Sequence, residues 1–152
     1  MAVGWLVIVF RVEDEYGRGP YFGEGRRYDG AFYSRCMELV HLGIDNTDRH
    51  PYPENDGLPY PQEWEKCGFE SVSQLLDWFS GFEDVLHKDG YFPVRIDVPD
   101  NMVVVGWHQL LFTDTTTCIR EVLSWEQVID PSRKVWWAET VGTYNPNEGE
   151  QK

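Results

Sequence analysis

The apolar positions change period several times along the chain, and each change marks an element. Residues 6–12 form a dense apolar, β-branched run that stops at Glu13, Asp14 and Glu15 and continues into Gly17, Arg18, Gly19 and Pro20. That order predicts a strand followed by a turn-rich loop. Over residues 31–42, Phe32, Cys36, Leu39 and Val40 recur at intervals of three and four, the spacing of one helix face. Residues 43–62 then carry Pro51, Pro53, Pro59 and Pro61 with Asn46, Asn55 and Gly57. Such residues break helices and central strands, so a long surface loop is expected, of the kind that covers or lines a site.

The sharpest local signal begins at Ser71. Its hydroxyl can accept from the Gln74 amide while the Gln74 side chain reaches back to Ser71, a capping box, and Val72, Leu75, Leu76 and Phe79 then make an apolar stripe. A helix is predicted there, with Gly81 placed to end it. Residues 91–98 alternate with period two, and a turn at Pro99, Asp100 and Asn101 leads to a second strand over 102–105. Residues 109–113 and 118–123 are short apolar segments on either side of the polar 114–117, which suits a hairpin. Residues 124–129 read as a helical turn or a strand, 135–137 as a last strand, and 145–152 as a polar tail. With no repeat or heptad, the pattern predicts one α+β domain over residues 1–144, with mostly antiparallel strands and two or three helices.

Composition narrows the classes of function. The 152 residues hold 26 acidic and 13 basic side chains, a formal net charge of -13, which excludes nonspecific binding to a phosphate backbone and argues against direct contact with nucleic acid. Hydrophobic residues make up 41% and aromatics 15%, so the chain is not an acidic disordered polymer. A domain of this size buries about 68–70% of its unfolded surface, enough for one sizeable core. The apolar run over 2–10 falls short of the about 20 residues that span a bilayer and lacks the basic start of a signal peptide. No membrane association and a cytoplasmic location are therefore expected. Cys36, Cys67 and Cys118 form no CxxC pair and are expected to be reduced, buried thiols.

Candidate chemistry is sparse. His41, His50, His87 and His108 have no metal-ligand spacing, and no metal is expected. There is no nucleophile elbow, no phosphate-binding GxxxxGK[ST] loop and no dinucleotide fingerprint, and nothing selects two of the 26 acids as a glycosidase pair. Arg11, Arg18, Arg26 and Arg27 lie near two glycine-rich turns, where they suit either a bidentate grip on a pyrophosphate or ion pairs with Glu13, Asp14, Glu15, Glu24 and Asp29.

Several short motifs carry a resemblance. A first strand ending in Phe10, Arg11 and Val12, the loop of Gly17, Arg18, Gly19, Pro20 and Tyr21, the Cys67-Gly68-Phe69 step into Ser71, and the Leu75 to Phe79 helix look like a set of small phage and prophage proteins. The strand at 94–98 and the segment from Gly106 to Phe112 continue the pattern, which covers roughly residues 5–125. The layout is similar to the ADP-ribosyltransferase fold. That resemblance implies a site for NAD or ADP-ribose in which Arg11 meets a phosphate or ribose, and Ser71 with Phe69 supplies the polar and aromatic pair before a helix. Gln109 falls where the family pattern has a Glu; a glutamine can hold a ribose hydroxyl but brings no charge to an oxocarbenium ion. Each residue also has a structural reading: Ser71 as a helix cap, Arg11 as a strand-end partner of Glu13 or Asp97, and Gln109 as a satisfied polar residue at a strand edge. Trp78, Phe79, Trp107 and Phe112 suit the core better than a stacking platform.

Three functions follow as expectations. One is a phage-type accessory protein that binds NAD or ADP-ribose, modifying a host target or catalytically degenerate. The second is a non-enzymatic acidic inhibitor of a basic nucleic-acid-binding surface on a host defence complex, drawn to it by charge. The third is an interaction domain whose contact surface is an exposed aromatic patch.

Overall fold

The computed structural model describes residues 4–20 and 50–129, and the backbone of 143–144. The helix expected over 31–42, the strand at 135–137, the tail, and Arg26, Arg27, Cys36 and His41 lie outside them.

The first strand organises the rest. β1 (Leu6–Glu13) is buried at all eight positions, which is why it reads as an unbroken apolar run instead of alternating. Antiparallel to it lies β3 (Phe92–Pro99), from Leu6↔Pro99 to Glu13↔Phe92. β6 (Ile119–Val122) pairs with the far side of β3, and β7 (Thr143–Tyr144) pairs with Leu6 and Val7, giving a four-stranded sheet in the order β6-β3-β1-β7. A second sheet of three strands runs β2-β5-β4, from β2 (Glu65–Gly68), β5 (Leu110–Thr113) and β4 (Val103–Val105).

A two-way bridge joins the sheets. The Phe10 amide donates to the Phe69 carbonyl at 2.8 Å and the Phe69 amide to the Phe10 carbonyl at 2.7 Å, so the chain leaving β2 folds onto the edge of β1. The approach requires Gly68: a Cβ there would stand 2.5 Å from Val9 Cγ1 and 3.1 Å from the Phe10 carbonyl oxygen. One face of β1 contributes Val7 and Val9 to a core with Val94, Ile96, Val98, Leu110 and Phe112, between the two sheets. The other contributes Ile8, Phe10 and Val12 to a core with Leu75, Phe79, Phe82, Leu86, Tyr91, Leu123 and Trp125, under the helices.

Three α-helices are found among the described residues. In α1 (Val72–Trp78) the Gln74 amide donates to Ser71 Oγ at 3.1 Å as expected, but the Gln74 side chain accepts from the Glu70 amide, one residue before the predicted partner. Gly81, at φ +85, turns the chain into α2 (Glu83–Lys88), a helix the sequence reading missed; its signal is an acidic first turn and a basic last one. α3 (Trp125–Ile129) carries the reciprocal capping box, with Gln127 N to Ser124 Oγ at 3.1 Å and Ser124 N to Gln127 Oε1 at 2.8 Å. A single turn of 3-10 helix at Pro53–Asn55 interrupts the expected proline-rich loop, and another at Asp100–Met102 makes the expected turn between β3 and β4.

The α+β class and the antiparallel pairing hold. The expected hairpin of β5 and β6 does not form: β5 already has β2 on one side and β4 on the other, so the chain turns at Cys118 N to Thr115 O, 3.1 Å, and crosses to the open edge of β3. Cys67 and Cys118 are free thiols as expected but only half-buried. Trp107, expected in the core, is 75% exposed, while Phe79 and Phe112 are buried and Trp78 is half-buried. The Gly68→Ala variant should lose about 2 kcal/mol of stability, the cost of forcing a methyl into a packed contact; chemical denaturation with an unchanged midpoint would remove the close approach as a constraint.

Candidate functional site

Past Val9, the sandwich face of β1 turns ionic. Arg11, 4% exposed, donates from Nε to Glu13 Oε2 at 2.8 Å and from a terminal nitrogen to the Cys67 carbonyl at 2.8 Å. Glu13, 2% exposed, also receives Arg120 of β6 through Nε at 2.9 Å and a terminal nitrogen at 3.2 Å. Arg120 makes a second two-point contact, to Asp114 at 2.9 and 3.0 Å, and Lys66 adds a contact to Asp114 at 3.0 Å. Three cations and two carboxylates thus tie β1, β2, β6 and the end of β5 together. Burial opposes ionisation of Asp114, but hydrogen bonds from Arg120 and Lys66, with their charges, outweigh it and hold the carboxyl below its ordinary range. Burial likewise works against the Arg120 cation, and its bonds to Glu13 and Asp114 overcome this and raise its pKa above the ordinary value.

Where β1 ends, a cleft of about 490 Å³ opens between the following turn, the C-terminal end of α2, the start of β3 and the step from β6 to α3. The turn is held by Asp14, which accepts from the Tyr16 and Arg18 amides at 2.9 Å each and from Arg18 Nε at 3.0 Å, with Gly17 at φ +77. The Arg18 guanidinium lies 4.8 Å from the Tyr16 ring centroid, leaving Glu15 exposed beside it. Tyr91, Phe92, Trp125, Val122 and Leu123 line the wall, and the Trp125 indole donates to the Tyr91 carbonyl at 2.9 Å. Asp14, Glu15 and His87 supply the ionisable groups of the lining. With Asp14 paired to Arg18, the exposed Glu15 and the aromatic walls are the features that suit a cation, by Coulomb attraction and by cation–π contact.

A second polar constellation closes the loop at 51–58 onto the turn after β4. Asp56, fully buried, accepts from the His108 amide at 2.9 Å, the Gln109 amide at 3.0 Å and His108 Nδ1 at 2.7 Å. A Cβ at Gly106 would stand 2.5 Å from the Asp56 carbonyl oxygen, so only glycine fits. A Cβ at Gly57 would stand 3.6 Å from the Trp107 ring, so the indole covers that glycine. This constellation is a clasp between two loops.

The profile of the family described as Bacteriophage T4 Y00F protein matches residues 1–126. The chain belongs to this family. No curated protein and no solved structure gives a significant match. None of these comparisons supports the expected resemblance to ADP-ribosyltransferases.

Of the residues that similarity selects, Arg11 is bonded to Glu13, so a phosphate at its guanidinium would have to displace that carboxylate. Phe69 pairs with Phe10 beside it, and Ser71 caps α1. Gln109 is 5% exposed, and its side chain donates to the Pro51 carbonyl at 2.8 Å, in the clasp and not with the other three. Of the arginines expected near the turns, Arg18 pairs with Asp14. Sequence reasoning missed Arg120, Asp114 and the cleft. The order apolar, polar, polar, apolar over Ile119, Arg120, Glu121 and Val122 has no period of two, so nothing local marked Arg120 as facing inward. Among the described residues there is no group of three or more metal-ligating side chains, and no helix is long and apolar enough to cross a membrane.

Arg120→Leu should cost about 3 kcal/mol, since it removes a two-point partner from a buried carboxylate; urea denaturation of that variant checks it. Acid sensitivity has a defined sign at Asp114. Its folded pKa lies below the unfolded value of about 3.9, so its contribution is complete above that pH and disappears as pH falls through the folded value. Melting temperatures measured below pH 4 should therefore fall less steeply in Asp114→Asn than in the parent, and parallel profiles would contradict the assignment.

Proposed function

We propose that this phage-family protein is a binding module that engages a basic surface of a host protein, acting by contact and not by chemistry on a small molecule. The observation that carries the reading is the cleft beside the end of β1, with aromatic walls, Glu15 exposed at its rim and no lysine or arginine among its lining residues. Two further features support it. The polar side chains selected as a nucleotide site are engaged inside the fold: Arg11 by Glu13, Gln109 by Pro51. The net charge of -13 accelerates encounter with a cationic surface and repels nucleic acid.

The reading is tested with a short arginine-rich peptide as probe, by titration over a range of salt. Affinity should fall steeply as salt rises. Glu15→Lys should weaken binding about tenfold by placing a like charge against the cation. Glu63→Lys, an equal charge change at an exposed position outside the cleft, should have a much smaller effect. Salt-independent affinity, or equal losses in the two variants, would overturn the proposal.

A further inference from the structure

β6 ends the four-stranded sheet, with β3 on one side. Its outward groups follow from one bond: the Leu123 amide donates to the Pro93 carbonyl at 2.9 Å, so Leu123 faces β3 through its backbone. Because an antiparallel ladder alternates, Glu121 and Ile119 also bond inward, and the amides and carbonyls of Arg120 and Val122 point away from the sheet. Neither residue makes an outward backbone bond among the described residues.

Exposed edges are normally blunted by lysine, proline, a bulge or a covering loop. β6 has no lysine or proline, and the side chain of Arg120 is folded inward onto Glu13 and Asp114. Ile119 and Val122 remain 64% and 63% exposed. Val122 both closes this edge and lines the cleft, so a chain lying along β6 runs past the mouth of the cleft. β4, at the end of the other sheet, is also an edge but has three residues and leads into the loop clasp.

We infer that β6 is the docking edge, on which an extended basic segment of the host protein adds as a further strand and sends a cationic side chain into the adjoining cleft. This rests on the binding reading above and specifies its mode. Backbone bonds to Arg120 and Val122 supply affinity, and the cleft selects the side chain at one position of the added strand. Charge selects the occupant: Glu121 and Glu15 favour a basic strand, whereas two copies of a chain with net charge -13 repel each other.

The experiment uses the full chain and a capped peptide of alternating arginine and valine. Amide exchange by NMR should show Arg120 and Val122 exchanging quickly in the free protein and slowly with peptide bound. Val122→Pro deletes one outward amide without removing a bond to β3, a substitution edge strands tolerate, and should weaken the peptide about tenfold. Val122→Thr keeps that amide and should bind the peptide more tightly than Val122→Pro. Salt-sensitive binding without protection of the two amides, or equal affinity in Val122→Pro and Val122→Thr, overturns the edge and leaves the binding reading standing. Absence of binding by both this peptide and the arginine-rich peptide overturns the binding reading itself. Dimerisation of the free protein through β6, seen as a mass change that Val122→Pro abolishes, assigns the edge to a second copy and overturns the inference.

Discussion

A carboxylate taken almost wholly out of water must be matched by cations, and Glu13 is matched by two that come from different strands. Arg11 is a neighbour on the same face of β1, while Arg120 reaches across from β6 on the far side of β3. The pairing therefore specifies where β6 lies. Apolar packing alone tolerates a strand that slides along its neighbour; a two-point guanidinium contact at both Glu13 and Asp114 does not. The same contact explains how a four-residue edge strand with two largely exposed apolar side chains stays in register.

The junction of the two sheets depends on a second constraint, the absence of a side chain at Gly68. Because β2 can approach β1 closely there, the Phe10–Phe69 bridge turns the path of the backbone from one sheet into the other, and the apolar positions of β1 are covered on both faces. The charged end of β1 then emerges where the sandwich opens. The Asp14 turn, α2 and α3 surround that opening and form the cleft. The functional reading grows from this arrangement: the ionic groups are committed within the fold, and the surface beside them presents acid, aromatic rings and an open strand edge.

Local signals were legible where neighbours in sequence decide the outcome. The Ser71 cap, the period-two run of β3 and the Asp100 turn depend on residues within a few positions of one another, and each is found in its place. The Arg11–Glu13 pair is of the same kind, since residues two apart on a strand share a face. The readings that failed needed knowledge of strand neighbours. Two short strands around a polar turn look like a hairpin, yet β5 has both edges occupied. Trp107 has the composition of a core residue, but Gly106 and the Asp56 clasp hold it on the outside.

The amino-acid order alone determined an α+β domain of antiparallel strands with net negative charge, because helix caps, period and charge are sums over local choices. Only the tertiary structure decided that Arg120 meets Glu13 across 107 positions of chain, that Gln109 is turned into a loop clasp, and that β6 has no strand on its outer side among the described residues, next to a cleft lined by Glu15 and aromatic rings. Those outcomes depend on which strand finds which edge, and edge choice is settled by the burial of whole faces and the pairing of buried charges, neither of which has a period in the sequence.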